Sequence, residues 1–316
     1  MRKTAAVFCS FLVSAVGFAQ SQKDVREKEF KEETARYGPM AQEAVKRLRA
    51  AGVDVDGFLA ASKQFVALGP EKGKAFAQQT NAKYGSPIRK ALATALVLPG
   101  AADILQDVQR SPLGPTPLPP GPPPPPCASC STATFQPPFV GTSTEGDNFT
   151  RAVNPTILVT TLSPSVRSAI AAAPHRKITT GKDFTVPSNS CHIRVDIPLD
   201  TSWVIGLSGV GYAHVWLGLD TSVQRGGAGA TVCSAPHLEQ DNQWTWLGGA
   251  LTLSDHRPGP HIVRTCEFDR TPADPTTYTA KVGASVDGTF VGFSGGYGDY
   301  FVTLDGVAVT SCACAR

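Results

Sequence analysis

The chain has 316 residues, 17% of them charged, a formal net charge of +3, and a composition rich in Gly (30) and Pro (26). Residues 1–110 carry 17 Lys/Arg against 11 Asp/Glu and residues 127–316 carry 12 against 15, so neither half offers the dense cationic face that nucleic acid requires. The length allows two domains.

The first predicted element is a secretory signal peptide over residues 1–19. Arg2 and Lys3 precede an apolar run from Ala5 to Phe18, and small residues at Gly17 and Ala19 suit cleavage after Ala19. The run is short for a membrane anchor. Its cysteine, Cys9, lies inside the run, which does not fit a lipoprotein. No later stretch reads as a span, because "ALATALVLPGAADIL" is broken at Pro99-Gly100 and carries Asp103. The mature chain is therefore expected to be exported, in the periplasm or outside the cell.

Residues 20–110 read as helical. Ala41, Ala44, Val45 and Leu48 fall at helical spacing before Gly52, and Phe58, Leu59, Phe65, Val66 and Leu68 form a second apolar set. Further segments up to Gly85 and from Ile88 to Val108 suggest a small bundle of four or five helices, serving to dock or assemble. Residues 111–126 hold 10 prolines in 16 positions and are expected to form a polyproline II spacer between two domains.

From 127 to 316 the pattern changes. "TILVTTL", "HIRVDIP", "SWVIGLSG", "YAHVWLGLD", "HIVRTCEFD" and "YFVTLDGVAVTSC" alternate or carry β-branched and aromatic residues, separated by turn clusters. Eight to ten antiparallel strands are expected, in a β-sandwich of jelly-roll type. The fold class is thus α+β in separate domains.

All seven cysteines left after cleavage lie in this second part: Cys127, Cys130, Cys191, Cys233, Cys266, Cys312 and Cys314. In an oxidising compartment they read as disulfides. Cys127 and Cys130 open the β-domain and Cys312 and Cys314 close it, so one or both pairs are expected to bridge across adjacent terminal strands. Cys191, Cys233 and Cys266 would supply one further bridge and one leftover thiol, free or joined between chains. Four thiolates on zinc are disfavoured by export and by the tight Cys-x-Cys spacing. A redox Cys-x-x-Cys would need a βαβ context.

Candidate chemistry is sparse. "GFSGG" places Ser294 in a nucleophile-elbow-like setting, but the chain runs on into a strand, and a glycine turn explains it as well. His175 is a conceivable partner, yet Phe293 precedes the serine where chymotrypsin-like proteases have an acid. The histidines His175, His192, His214, His237, His256 and His261 show no shared metal spacing, and "DHRPGPH" reads as a surface turn. Asp299, Asp305, Glu239 and Asp241 offer no demonstrable acid–base pair. "LEQDNQ" could accept calcium only unspecifically, and "RGGAGA" lacks the signature of a phosphate loop.

The aromatics are more informative. Trp203 and Trp216 sit in apolar strands and read as core. Trp244 and Trp246, two apart after a polar loop, share one strand face: on an inner face they would be core, and on an exposed face they are candidates to stack on sugar rings. Tyr297 and Tyr300 in "GGYGDY" read as further exposed candidates. The expectation is an exported, non-catalytic binding or surface-structural protein whose β-sandwich contacts a surface polysaccharide or an envelope protein, with no cofactor and no metal. The alternative is a secreted hydrolase using Ser294 or a carboxylate pair.

Overall fold

The computed structural model describes residues 5–93, 129–146, 149–169, 171–226 and 229–313, with the main chain alone for 5–25, 93, 149–157 and 242–250. Cys127, Cys314 and the proline tract lie outside the described residues.

Two long helices, not four or five, occupy the described N-terminal part: α1 (Ala5–Ala50) and α2 (Val55–Ala93). α1 ends where the sequence said it should. Gly52 takes φ 74°, the Val53 N–H reaches the Leu48 carbonyl at 3.0 Å, and the Gly52 N–H reaches Arg49 at 3.0 Å, a Schellman closure. Asp54 then caps α2, its Oδ1 accepting from the Gly57 N–H at 2.9 Å. α2 kinks at Gly69, whose non-helical φ of 66° precedes Pro70. Ala41, Ala44, Val45, Leu48, Phe58, Phe65 and Val66 are all buried, as their spacing predicts.

The remainder is an antiparallel sheet of eleven described strands. These are β1 (Ser129–Phe135), β2 (Phe139–Gly146), β3 (Phe149–Val159), β4 (Thr161–Leu162), β5 (Ser165–Ser168), β6 (His175–Thr185), β7 (Ser190–Arg225), β8 (Thr231–His256), β9 (His261–Asp269), β10 (Thr277–Leu304) and β11 (Val307–Ala313). At its centre is β7, 36 residues long. β8 and then β9 pair along one edge of it, β10 and then β11 along the other.

This ribbon curls until its two halves face each other across one core. Ile193, Val195 and Ile197 of the first half and Val215, Leu217 and Leu219 of the second belong to a single buried cluster. Odd-numbered residues of β7 face that core on both sides of the bend, the period of two expected of a strand. The bend itself is built of glycine. Gly209 and Gly211, at φ 112° and 144°, lie opposite Ser294 and Gly292 of β10. A Cβ at Gly209 would lie 2.1 Å from the Phe293 carbonyl oxygen, and one at Gly211 would lie 2.2 Å from that of Val291. "GFSGG", expected to be a turn between strands, is therefore a corner inside a continuous strand.

Two disulfides brace the sandwich. Cys130–Cys312 joins β1 to β11, the first and last described strands, across 182 residues. Closing a loop of that length is worth about 5 kcal/mol in the chain-entropy model. Cys233–Cys266 joins β8 to β9. Where the two ends of the curl meet, buried Arg270 donates to four main-chain carbonyls, those of Ser188, Ser190, Asp274 and Pro275, at 2.6–3.2 Å.

The expected separation of helical and β parts does not hold. Leu48, Phe58, Phe65 and Ile88 share one buried cluster with Val204, Val210, Leu251 and Tyr297 of the sheet. A thin helical core is completed by the outer sheet face, because each surface alone would leave apolar area in water. The described helical and β parts are therefore in direct contact.

Candidate binding face

Beyond the helices, the outward parity of β7 presents Tyr212, His214, Trp216, Gly218 and Asp220 in succession, while Ala213, Val215, Leu217 and Leu219 point inward to the core. The order starts under α1. Tyr212 is buried with its ring stacked on Tyr37, centroids 4.5 Å apart and planes 7° from parallel. Burial holds its phenol well above the ordinary tyrosine range, and nearby Glu33 adds to the effect. The Tyr212 hydroxyl contacts His214 Nδ1 at 3.2 Å, and the His214 ring lies 4.5 Å from that of Trp216. His214 and Trp216 are half-buried, so the row of rings emerges from beneath the helix.

Polar groups flank the row. On β10, Thr289, Asp287, Ser285 and Gly283 lie opposite His214, Trp216, Gly218 and Asp220. On β6, His175 pairs with Asp287 through a short, nearly buried contact. Lys177 reaches Asp220 at 2.5 Å. From β8, the His237 Nδ1 contacts the other Asp220 oxygen at 2.7 Å. The hydrogen bond from His237, reinforced by Lys177, holds the Asp220 carboxyl well below the usual carboxylate range. The same bond raises His237.

Gly218 is buried in this face. A Cβ there would lie 2.6 Å from His237 Cε1 and 2.7 Å from Ser285 Oγ, so these two side chains close over it. The half-buried Trp216 indole is followed on the same face by the Asp220 carboxylate with its His237 and Lys177 partners. Such an arrangement can hold a flat apolar ring face while directing donors and acceptors at its substituents.

The main chain places Trp244 opposite His214 and Trp246 opposite Tyr212. Their side chains lie outside the described residues.

Other expected contact residues are corrected. Tyr297 and Tyr300 are fully buried. Tyr297 lies under α2 with its ring 5.5 Å from Phe65, and a Cβ on Gly206 would come within 2.4 Å of it. Tyr300 belongs to the sandwich core. The neighbouring glycines had suggested an exposed loop, but they build the corner.

Ser294 is buried as well, its Oγ donating to the Tyr212 carbonyl at 2.6 Å and lying 2.9 Å from that of Val291. Its hydroxyl is committed to the main chain of the corner. His175 is committed to Asp287. Trp203 is core as expected, its indole N–H donating to Asp241 at 2.5 Å, whereas Trp216 proves to be on the outer face.

The row Tyr212, His214, Trp216, Asp220 and its partners Lys177 and His237 escaped the sequence reading. The signal was present in "YAHVWLGLD", where ring or polar residues alternate with Ala, Val and Leu. On the face itself His175 and His237 each contact one carboxylate, those of Asp287 and Asp220. Formation of Cys130–Cys312 consumes two of the four thiolates that a zinc site would need.

No protein-family model matches the chain, and no curated protein matches it. Among solved structures, TmCBM61 in complex with beta-1,4-galactotriose is similar at 15% identity over 53% of this chain and 86% of that one, with a TM-score of 0.20. The enzymatically active domain of Bacteriophage CBA120 tailspike protein 4 is similar at 11% identity, 56% and 19% coverage and a TM-score of 0.15. Infectious bursal disease virus, Gt strain, gives 10% identity, 53% and 43% coverage and a TM-score of 0.15. The chain spans less than half of the latter two. At such TM-scores these likenesses define neither fold nor function.

Proposed function

We propose that this is an exported, non-catalytic binding protein, cleaved after Ala19, whose jelly-roll-type sandwich contacts a surface polymer of carbohydrate class. The observation that carries the reading is the row His214–Trp216 emerging from beneath α1, followed on the same strand face by Asp220 with its partners His237 and Lys177. A sugar ring offers one apolar face and a rim of hydroxyls. An indole can cover the first, while a carboxylate held ionised and a lysine answer the second. Trp244 and Trp246, whose main chain is opposed to His214 and Tyr212 in register, remain the further contact candidates.

Two disulfides within the chain fit an oxidising compartment. Among the described residues no helix is long and apolar enough to cross a membrane.

The test is co-sedimentation of the full chain, disulfides intact, with insoluble polysaccharides and envelope fractions, beside Trp216→Ala and the double variant Trp244→Ala/Trp246→Ala. Loss of a central aromatic anchor should weaken binding at least about tenfold while circular dichroism stays unchanged. Failure to bind any fraction, or undiminished binding by both variants, would sink the proposal.

A further inference from the structure

At the far rim of the sandwich, away from the aromatic row, both neighbours of β7 break off beside the same residue. β8 passes to β9 through Arg257–Pro258–Gly259–Pro260, and β10 passes to β11 through Asp305–Gly306. The breaks flank Asp200. His261 is its register partner on one side, and Thr303, two residues before Asp305, is its partner on the other. His261 Nδ1 lies 2.8 Å from Asp200 Oδ1 and 3.8 Å from Asp305 Oδ2, and one ligand atom from each of the three residues falls within 4.8 Å of the others.

The main chain fixes this convergence. Thr201 donates through both its N–H and its Oγ1 to the Pro260 carbonyl, at 3.1 and 2.9 Å, which holds the residue before His261. A side chain on Gly259 would meet the Thr201 carbonyl oxygen at 2.3 Å, so the loop lies flat on β7. The Asp305 N–H is held by the Pro198 carbonyl at 3.3 Å.

Two carboxylates share one imidazole here. Asp196, Asp255, Asp274 and Asp299 are each met by an arginine and Asp220 by a lysine. The ion pairs of Asp200 and Asp305, among the described residues, run only to His261. Two carboxylates facing one imidazole nitrogen form a donor set of two oxygens and one nitrogen, open to solvent on the remaining side.

We propose that Asp200, His261 and Asp305 bind a divalent transition cation of the zinc class, with water or a ligand group at the open position. The imidazole selects the class, since calcium and magnesium prefer all-oxygen sets, while carboxylates and imidazole together suit zinc. A small closing movement brings the three atoms onto one ion and replaces the Asp200–His261 hydrogen bond with coordination.

The experiment is isothermal titration of the full chain, disulfides intact, with Zn²⁺ alone and with Ca²⁺ alone. It is repeated on His261→Ala and on Asp305→Asn, which keeps the side-chain shape. One equivalent of Zn²⁺ should bind, Ca²⁺ should bind far more weakly, and each variant should lose more than the roughly 10–100-fold that changes behind the ligands typically cost. Absence of Zn²⁺ binding overturns the proposal. So does binding that both folded variants retain, which would place the ion on other histidines or on Cys191. Preference for Ca²⁺ overturns the assignment to a transition ion.

Discussion

Asn81 of α2 pairs with the main chain of Leu251 in β8 across 170 residues of sequence. Its Nδ2 donates to the Leu251 carbonyl at 2.7 Å, and its Oδ1 accepts from the Leu251 N–H at 2.9 Å. The amide thereby does for β8 what another strand would do, supplying one donor and one acceptor to a peptide unit. It fixes where α2 lies on the sheet, which apolar contact by itself specifies poorly.

Replacing Asn81 with Ala or Leu should therefore loosen the docking of the helices. Losing both hydrogen bonds and leaving the partly buried Leu251 peptide unsatisfied costs about 1–3 kcal/mol. Hydrogen exchange checks this: amides of residues 55–93 should exchange faster in the variant, while those of β7 around Val215 stay protected.

The glycine corner makes a graded prediction. Gly209→Ala combines a φ of 112° with a Cβ 2.1 Å from a main-chain oxygen, and no flexible side chain can give way. Overpacking and backbone strain together should cost more than about 2 kcal/mol. Gly52→Ala has a φ of 74° but nothing within 4 Å of the added carbon, so only the left-handed backbone penalty of about 1 kcal/mol applies. Chemical denaturation of the two variants should rank them in that order.

Tyr297 and Tyr300 separate a structural role from a binding one. Both hydroxyls are buried and have no hydrogen-bond partner among the described residues, and burial pushes both phenols well above the ordinary range. Tyr297→Phe and Tyr300→Phe should each leave stability within about 1 kcal/mol of the parent or raise it, because an unsatisfied buried group is removed. Tyr300→Ala should cost about 3–5 kcal/mol through the cavity left behind. Neither Phe variant should alter polysaccharide binding.

Asp220 and His237 predict the pH dependence of the binding face. The depressed Asp220 contributes stability above its unfolded pKa, and that is lost as pH falls through the lower folded value. The raised His237 contributes fully below its unfolded pKa, and that is lost as pH rises through the higher folded value. The coupling is therefore largest between about pH 4 and 6.5, the unfolded values of the two groups. An NMR titration should place His237 above the ordinary histidine midpoint, and Asp220→Asn should bring it down.

Much of the molecule was legible in residue order because local chemistry decides it. The stop of α1 at Gly52 needs only a left-handed residue after a helical run. The buried faces of both helices follow from spacing, since Ala41, Ala44, Val45 and Leu48 recur at the period of a helix turn. Strands alternating Val, Ile and Leu with polar residues announced a sandwich. Cysteines at both ends of that region announced a staple, realised as Cys130–Cys312.

What only the tertiary structure decided concerns residues whose surroundings come from far along the chain. "GFSGG" reads as a turn until Gly209 and Gly211 are found opposite it, and then Ser294 is a corner peg. Tyr297 reads as exposed until α2 is laid over it. Trp216 reads as core until the parity of β7 is anchored by Val215 and Leu217 facing Val195 and Ile197. Helix caps and strand periods depend on neighbours a few residues away. Burial, and with it whether a tyrosine or serine can meet a ligand, depends on which distant surface removes it from water.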